Sequence, residues 1–414
     1  MSLFLNTNIS SLQAQNNLTT STNQLSTATE DLSSGLQINS AADNAAGFAI
    51  VQNFQTQIGG LGQASQNATD AINLSQTAGS ALSQITSNLQ SIRDLAVQAA
   101  NSTFTASDRG DINTSVQQFL AQINTIADQT TFNGINVLNG TNGNLSFQVG
   151  ANVGQAIDVS LGQGATTGQL GQVSEISTGD ISGAFVNASG ASGATISLSG
   201  LAITGADGTT FAFTGGTAQS AQDVVDAINA AGVDGVSAAV NASGGINIFS
   251  TGELAVNGSS VTGAAGASGA GFNNLTASAT AFGASGVGAA ASGFAASGVT
   301  YTAGNVIQAS GSLAGGDVLT VDDANQLISR VDAALSSVST LSSTFGAVQD
   351  RFQSDQSTLS AQQTNDTSSQ SSIEDTDFAA ETATLSQAQV LQQAGISVLA
   401  TANSEPQNIL KLLQ

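Results

Sequence analysis

GLGQASQNATDAINLSQTAGSALSQITSNLQSIRDLAVQAAN, running from Gly60 to Asn101, is the stretch whose pattern sets the architecture of the chain. Its small and apolar side chains, Ala68, Ala71, Ser75, Ala78, Leu82, Ile85, Leu89, Ile92, Ala96 and Ala99, alternate spacings of three and four, which is a heptad seam. With no proline and about 1.5 Å of rise per residue, it predicts a rod on the order of 55–60 Å long that cannot bury its stripe against itself. Partner rows stand far along the chain, in Ala324, Ile328, Val331, Leu335, Val338, Ser342, Phe345, Gln349, Phe352, Gln356 and Leu359. A third row, Ile112, Val116, Phe119, Ile123 and Ile126, follows a break at Thr103 to Asp111, with Ser107 as its expected N-cap. The class expected is α+β: a long antiparallel helical bundle or coiled coil formed by both chain ends. Everything from Phe132 to about Asn305 is inserted in it as a strand-rich outer region.

Composition excludes much. The 414 residues carry 28 acidic and five basic side chains, a formal net charge of -23. The bases are Arg93, Arg109, Arg330, Arg351 and Lys411, too few to hold a phosphate backbone or an anionic membrane surface, so no nucleic-acid or membrane partner is expected. There is no cysteine and no histidine, which removes disulfides, thiolate nucleophiles, imidazole bases and the usual zinc ligands. No enzyme activity, cofactor or metal is expected. No apolar run approaches membrane-spanning length. Met1 to Asn8 lack the basic start, apolar core and cleavage site of a secretory signal, so any export is expected by another route.

From Leu5 to Leu36 the apolar stripe is Leu5, Ile9, Leu12, Leu18, Leu25, Leu32 and Leu36, narrow and on a helix whose other face is uncharged, so that it folds weakly alone. The segment LSSGLQINSAADNAAGFAI, Leu32 to Ile50, then breaks the period with Gly35, Asn39, Asp43 and Gly47, as a tight connector does. This segment closely resembles the N-terminal signature of bacterial flagellins. Four further blocks resemble flagellin sequence in flagellin order: Ile92 to Asn101, Thr131 to Leu138, Phe345 to Phe352 and Val390 to Gly395.

After Phe132, alternation at Leu145, Phe147 and Val149 and again at Ile157, Val159 and Leu161 predicts a β-hairpin, which the resemblance places in contacts along a protofilament. Short alternating runs continue at Ile196/Leu198, Leu201/Ile203, Phe211/Phe213, Val236/Ala238/Val240 and Ile246/Ile248. Between them Ala218 to Ala231 carries a helical stripe, Ala221, Val224, Val225 and Ile228. A folded outer region is expected, with Gly263 to Gly298 its least defined part. At the C-terminus Leu385, Ala388, Leu391, Gly395, Val398 and Ala402 form a small-residue stripe able to approach that of the N-terminal helix. Pro406, the one proline, is expected to end or kink this helix.

These readings divide the chain into residues 1–40, an N-terminal filament-core helix; 41–165, the bundle with its hairpin; 166–305, the outer region; 306–370, the returning bundle helix; and 371–414, a C-terminal filament-core helix. The resemblance implies a subunit that polymerises into the flagellar filament for swimming, outside the cell, by ordering its terminal helices on assembly. It also implies export through the flagellar apparatus with a chaperone on the C-terminal stripe, and contacts with cap and hook-junction proteins. Flagellins that activate Toll-like receptor 5 carry Arg, Leu and Glu where this chain has Ser91, Leu95 and Ser115, so weak activation is expected.

Other motifs have plainer readings. Arg109-Gly-Asp111 sits at a helix start, where acidic residues are ordinary. The sequons at Asn187 and Asn274 are expected by chance in so Asn- and Ser-rich a chain. Glu374, Asp375 and Asp377 match no calcium loop and suit the start of a helix. A hook–filament junction protein shares the terminal stripes, often with Asp-Pro where this chain has Asp43-Asn44. A surface adhesin displaying the acidic outer region is a further alternative, against which the single Tyr and absent Trp count.

Overall fold

The computed structural model describes residues 8–177, 185, 195–199, 201–252, 254–257, 277–279, 299–301 and 312–412. Leu5, Asn187, Asn274 and most of the 263–298 span lie outside them. The chain forms two compact units, one of Met1–Thr69, Gln148–Ile157 and Gln353–Gln414, the other of Asp70–Phe147 and Asp158–Phe352.

Helix α1, Ile9–Ser34, and helix α6, Phe378–Leu412, pair antiparallel in the first unit. Asn8 caps α1, its Oδ1 accepting from the Ser11 N–H at 3.1 Å, and Gly35, at φ 78°, ends the helix in the left-handed conformation. Asp377 caps α6 by accepting from the N–H groups of Ala379 at 2.9 Å and Ala380 at 3.3 Å. Pro406 neither ends nor bounds α6, which continues to Leu412. Proline has no N–H for the carbonyl four residues back, that of Ala402, and Asn8 Nδ2 supplies the missing donor at 2.8 Å.

The two connectors also meet. The Gln37 N–H donates to the Glu374 carbonyl at 2.6 Å and the Thr376 N–H to the Gly35 carbonyl at 3.0 Å, an antiparallel bridge centred on Leu36 and Asp375. Helix α2, Ala45–Ala99, and helix α5, Val321–Glu374, run antiparallel, with Gln356 Nε2 donating to Thr69 Oγ1 at 3.1 Å.

In the second unit, Arg93 of α2 meets Asp332 of α5 at 2.6 Å. Helix α3, Ala106–Gln129, starts at Thr105 rather than Ser107. Thr105 and Asp108 cap each other reciprocally, whereas Ser107 would find Gly110 three residues on, with no side chain to return the bond. Gln117 of α3 donates to the Gly316 carbonyl at 2.8 Å, placing α3 beside the chain that enters α5.

The strands β1, Thr131–Phe132, and β2, Ile135–Asn136, form a small hairpin; β3, Asn144–Gln148, and β4, Ala156–Ser160, form the next. Ile157, Val159 and Leu161 are buried. Then come β5, Ser174–Ser177, β6, Ile196–Ser197, β7, Ala202–Thr204, β8, Thr210–Ala212, β9, Thr217–Ala218, the short helix α4, Ala221–Ala230, β10, Val236–Val240, β11, Ile246–Ser250, β12, Ala255–Asn257, β13, Ala277–Ala279, and β14, Val299–Tyr301. They make sheets of order β10-β11-β5-β13-β14, β12-β7-β8 and β6-β9. Their shared core joins Val224, Val225 and Ile228 of α4 to Ile176, Leu201, Ile203, Ile246 and Ile248. Burial of these apolar side chains is what holds such short strands together.

Candidate assembly surface and bundle seam

The inward row of α1 is Ala14, Ser21 and Ala28, buried a heptad apart, with Leu18, Leu25 and Leu32 half-buried between them. That of α6 is Leu385, Ala388, Gln392, Gly395, Leu399 and Ala402, of which Ala388 and Ala402 are buried. Small residues at the line of contact let the backbones approach closely. A Cβ on Gly395 would stand 3.3 Å from Leu18 Cδ1, so the glycine lets Leu18 lie close against α6.

This pairing leaves apolar surface uncovered. Ile9 and Leu12 on α1 are 58% and 56% exposed, and Val390, Ile396 and Val398 on α6 are 65%, 56% and 57% exposed. Leu391, 43% exposed, lies a heptad before Val398 on the same flank. Leu391 and Val398, expected in one stripe with Ala388, therefore belong to a second row that faces out of the pair. Around the helix the true inward row steps through Gln392 and Leu399, which hydrophobicity alone does not single out.

Along the bundle, Ala68, Ala71, Ser75, Ala78, Leu82, Ile85, Leu89, Ile92, Ala96 and Ala99 of α2 are all buried. Ile112, Val116 and Ile123 of α3 are buried, as are Val331, Val338, Phe345, Phe352 and Leu359 of α5. Ile328 and Leu335 are half-buried, and the neighbouring Leu327 and Ala334 take the inner position; Leu341 replaces Ser342. On α3, Phe119 and Ile126 likewise stand half-buried beside Leu120 and Ala127. Where two adjacent residues are apolar the heptad can be drawn through either, and the larger side chain is not always the inner one. Phe147 meets Phe352 edge to face at 5.7 Å, sealing the hairpin on α5.

The Arg109 guanidinium donates to the Ala99 carbonyl at 2.9 Å and the Asn101 carbonyl at 3.0 Å, capping the end of α2, so the Arg-Gly-Asp tripeptide is joined to the fold through its arginine. Ser91, Leu95 and Ser115 are half-buried. The Ser91 hydroxyl turns back to the Ser87 carbonyl at 3.0 Å, and that of Ser115 to the Asp111 carbonyl at 3.5 Å. Among the described residues no cluster of three or more Asp, Glu, His or Cys is arranged to hold a metal, and no helix is long and apolar enough to cross a membrane.

Two chain ends that pair as helices while keeping apolar rows uncovered are the arrangement of a subunit that packs against further copies. The comparisons make that specific. Residues 5–143 match the bacterial flagellin N-terminal helical region and 328–413 the bacterial flagellin C-terminal helical region. The chain is 36% identical over 495 residues to the B-type flagellin of Pseudomonas aeruginosa, and 36% identical over 504 residues to the flagellin of Salmonella typhimurium. It is 34% identical over 419 residues to flagellin D of Vibrio cholerae, and in all three cases 100% of both chains is covered. A solved structure of FliC from Burkholderia pseudomallei is 28% identical, covering 68% of this chain and 99% of that one, at a TM-score of 0.38. The chain belongs to the bacterial flagellins, and it is a structural subunit of the flagellar filament.

Proposed function

We propose that α1 and α6 are the assembly device of this subunit, ordering as a pair when they are buried among neighbouring copies. The observation that carries this is the outward apolar set Ile9, Leu12, Val390, Leu391, Ile396 and Val398 on helices whose own contact row is mostly alanine, serine and glycine. So narrow an inner row offsets little of the ordering entropy, and neighbours covering the outer set supply the rest. The buried rows Leu82, Ile85, Leu89, Ile92, Ile112, Val116, Ile123, Val331, Val338, Phe345 and Phe352 hold the bundle of the second unit, independently of assembly. Seeded polymerisation followed by electron microscopy tests the proposal: full-length monomer extends filament seeds and a version trimmed to residues 50–370 does not. Extension by the trimmed version would overturn it.

The same proposal covers the route and the partners. The chain is exported through the flagellar apparatus, with a chaperone covering Leu385, Ala388, Leu391 and Val398 before assembly, and it meets cap and hook-junction proteins at the filament ends. Absence of cysteine suits an unfolded passage, since no thiol can crosslink in transit. Activation of Toll-like receptor 5 is weak, because Ser91 and Ser115 offer no charged group; equal potency to an enteric flagellin in reporter cells would refute this.

A further inference from the structure

Where the chain leaves the bundle for the outer region and where it returns, the two passages are tied together by buried polar groups. Strand β5 opens the outer region, and its Ser174, Glu175 and Ile176 are all buried. Ile176 faces the apolar core of the strands, while Glu175 turns the other way and accepts a hydrogen bond from Gln326 Nε2 on α5. One turn further along α5, Arg330 is 3% exposed, and its Nη1 donates to the Ser312 carbonyl on the returning passage at 2.7 Å. The Leu313 N–H donates to the Leu170 carbonyl at 3.0 Å, joining the outgoing and returning chain directly. Gly171, at φ 75°, lies so close that a Cβ would come within 2.9 Å of the Arg330 carbonyl oxygen. Beyond this knot, the Ala242 N–H donates to Asp322 at 2.8 Å and the Ser237 and Ser329 hydroxyls share a bond of 3.2 Å. The sheet therefore lies on α5 through a polar face.

We propose that Glu175, Gln326 and Arg330 form an acid-tightened latch that sets how firmly the outer strands are seated on α5. A lone carboxylate sealed between a sheet and a helix is costly to ionise, and Arg330 with the Gln326 amide offsets part of that cost. The charged groups acting on Glu175 from α5 are Arg330, Asp322 and Asp323, and the acids raise its cost of ionisation further. Burial, together with Asp322 and Asp323, pushes the Glu175 carboxyl above its ordinary value despite Gln326 and Arg330. Asp317, on the returning passage, is pushed the same way, first by burial and then by Asp323. A folded-state pKa raised above the unfolded value means that the seated form holds more protons. The latch therefore gains stability as pH falls through the folded pKa toward the unfolded one, and loses it as pH rises. Under alkaline conditions the outer strands open more often, and under mild acid they are held.

Amide hydrogen exchange on the full chain, corrected for its intrinsic pH dependence, reads the seating at β5 and β11, which pair through Ile176 and Ile248. Protection there is expected to rise several-fold from a mildly alkaline to a mildly acidic pH while that of α4 changes little. Glu175→Gln should hold the higher protection at both pH values, with any remaining slope assigned to Asp317 by adding Asp317→Asn. Gln326→Leu, which removes the donor to the ionised form, should move the rise to higher pH. A flat profile in the unsubstituted protein, or an unchanged profile in Glu175→Gln, would overturn the latch.

Discussion

Asn8 serves two helices at once, and this can be separated by mutation. Its Oδ1 caps α1 and its Nδ2 satisfies the Ala402 carbonyl that Pro406 leaves without an intrahelical donor. Asn8→Ala therefore removes a cap, about 1 kcal/mol, and strands a carbonyl on a buried residue, about 1–3 kcal/mol more. With Pro406→Ala in place the residue-406 N–H can take the Ala402 carbonyl itself, so Asn8→Ala should then cost only the cap. The expected coupling is about 1 kcal/mol or more, read from the melting temperature of filaments built from each variant. Strict additivity would mean that the two positions are independent. The sequence offered Pro406 as a stop; what it hid was a donor some four hundred residues away in the chain that makes the stop unnecessary.

The helices were legible because their signal repeats. Ten positions of α2 recur at heptad spacing, and no single ambiguous residue can shift so long a register. Ambiguity survives where adjacent residues can each take the inner place, as at Leu327-Ile328, Ala334-Leu335 and Leu341-Ser342 of α5. Leu327→Ala should accordingly cost about 2–4 kcal/mol, and Ile328→Ala about half of that or less, in urea unfolding of the full chain. The reverse order would restore the seam through Ile328 and Leu335. Strands of two to five residues repeat too few times to be fixed in this way, which is why the alternating pairs indicated strands but not their sheet order. Glu175 was silent for a related reason. Ser-Glu-Ile-Ser reads as a half-exposed strand, and only the helix laid over its polar face buries the acid. The Thr105 cap is legible in the sequence, since Thr105 and Asp108 stand at capping-box spacing whereas Ser107 has Gly110 at the position that would return the bond.

At the scale of the whole molecule, charge governs how copies can meet. Of the five basic side chains, Arg93 is paired with Asp332, Arg109 caps α2, and Arg330 is buried against the Ser312 carbonyl. Little positive charge is left on the surface to answer 28 carboxylates. Subunits entering a filament must therefore associate against a like-charge field, and under the proposed assembly the apolar rows and uncharged Ser, Thr, Asn and Gln side chains supply the attraction. Such a field reaches about 30 Å at 10 mM salt and about 8 Å at 150 mM. The monomer concentration needed to extend seeds should consequently fall severalfold across that interval, and sedimentation of filaments from residual monomer measures it directly. If it rises with salt instead, attraction between opposite charges on neighbouring subunits outweighs the net field. The exposed Arg351 would then have to be carrying the contact.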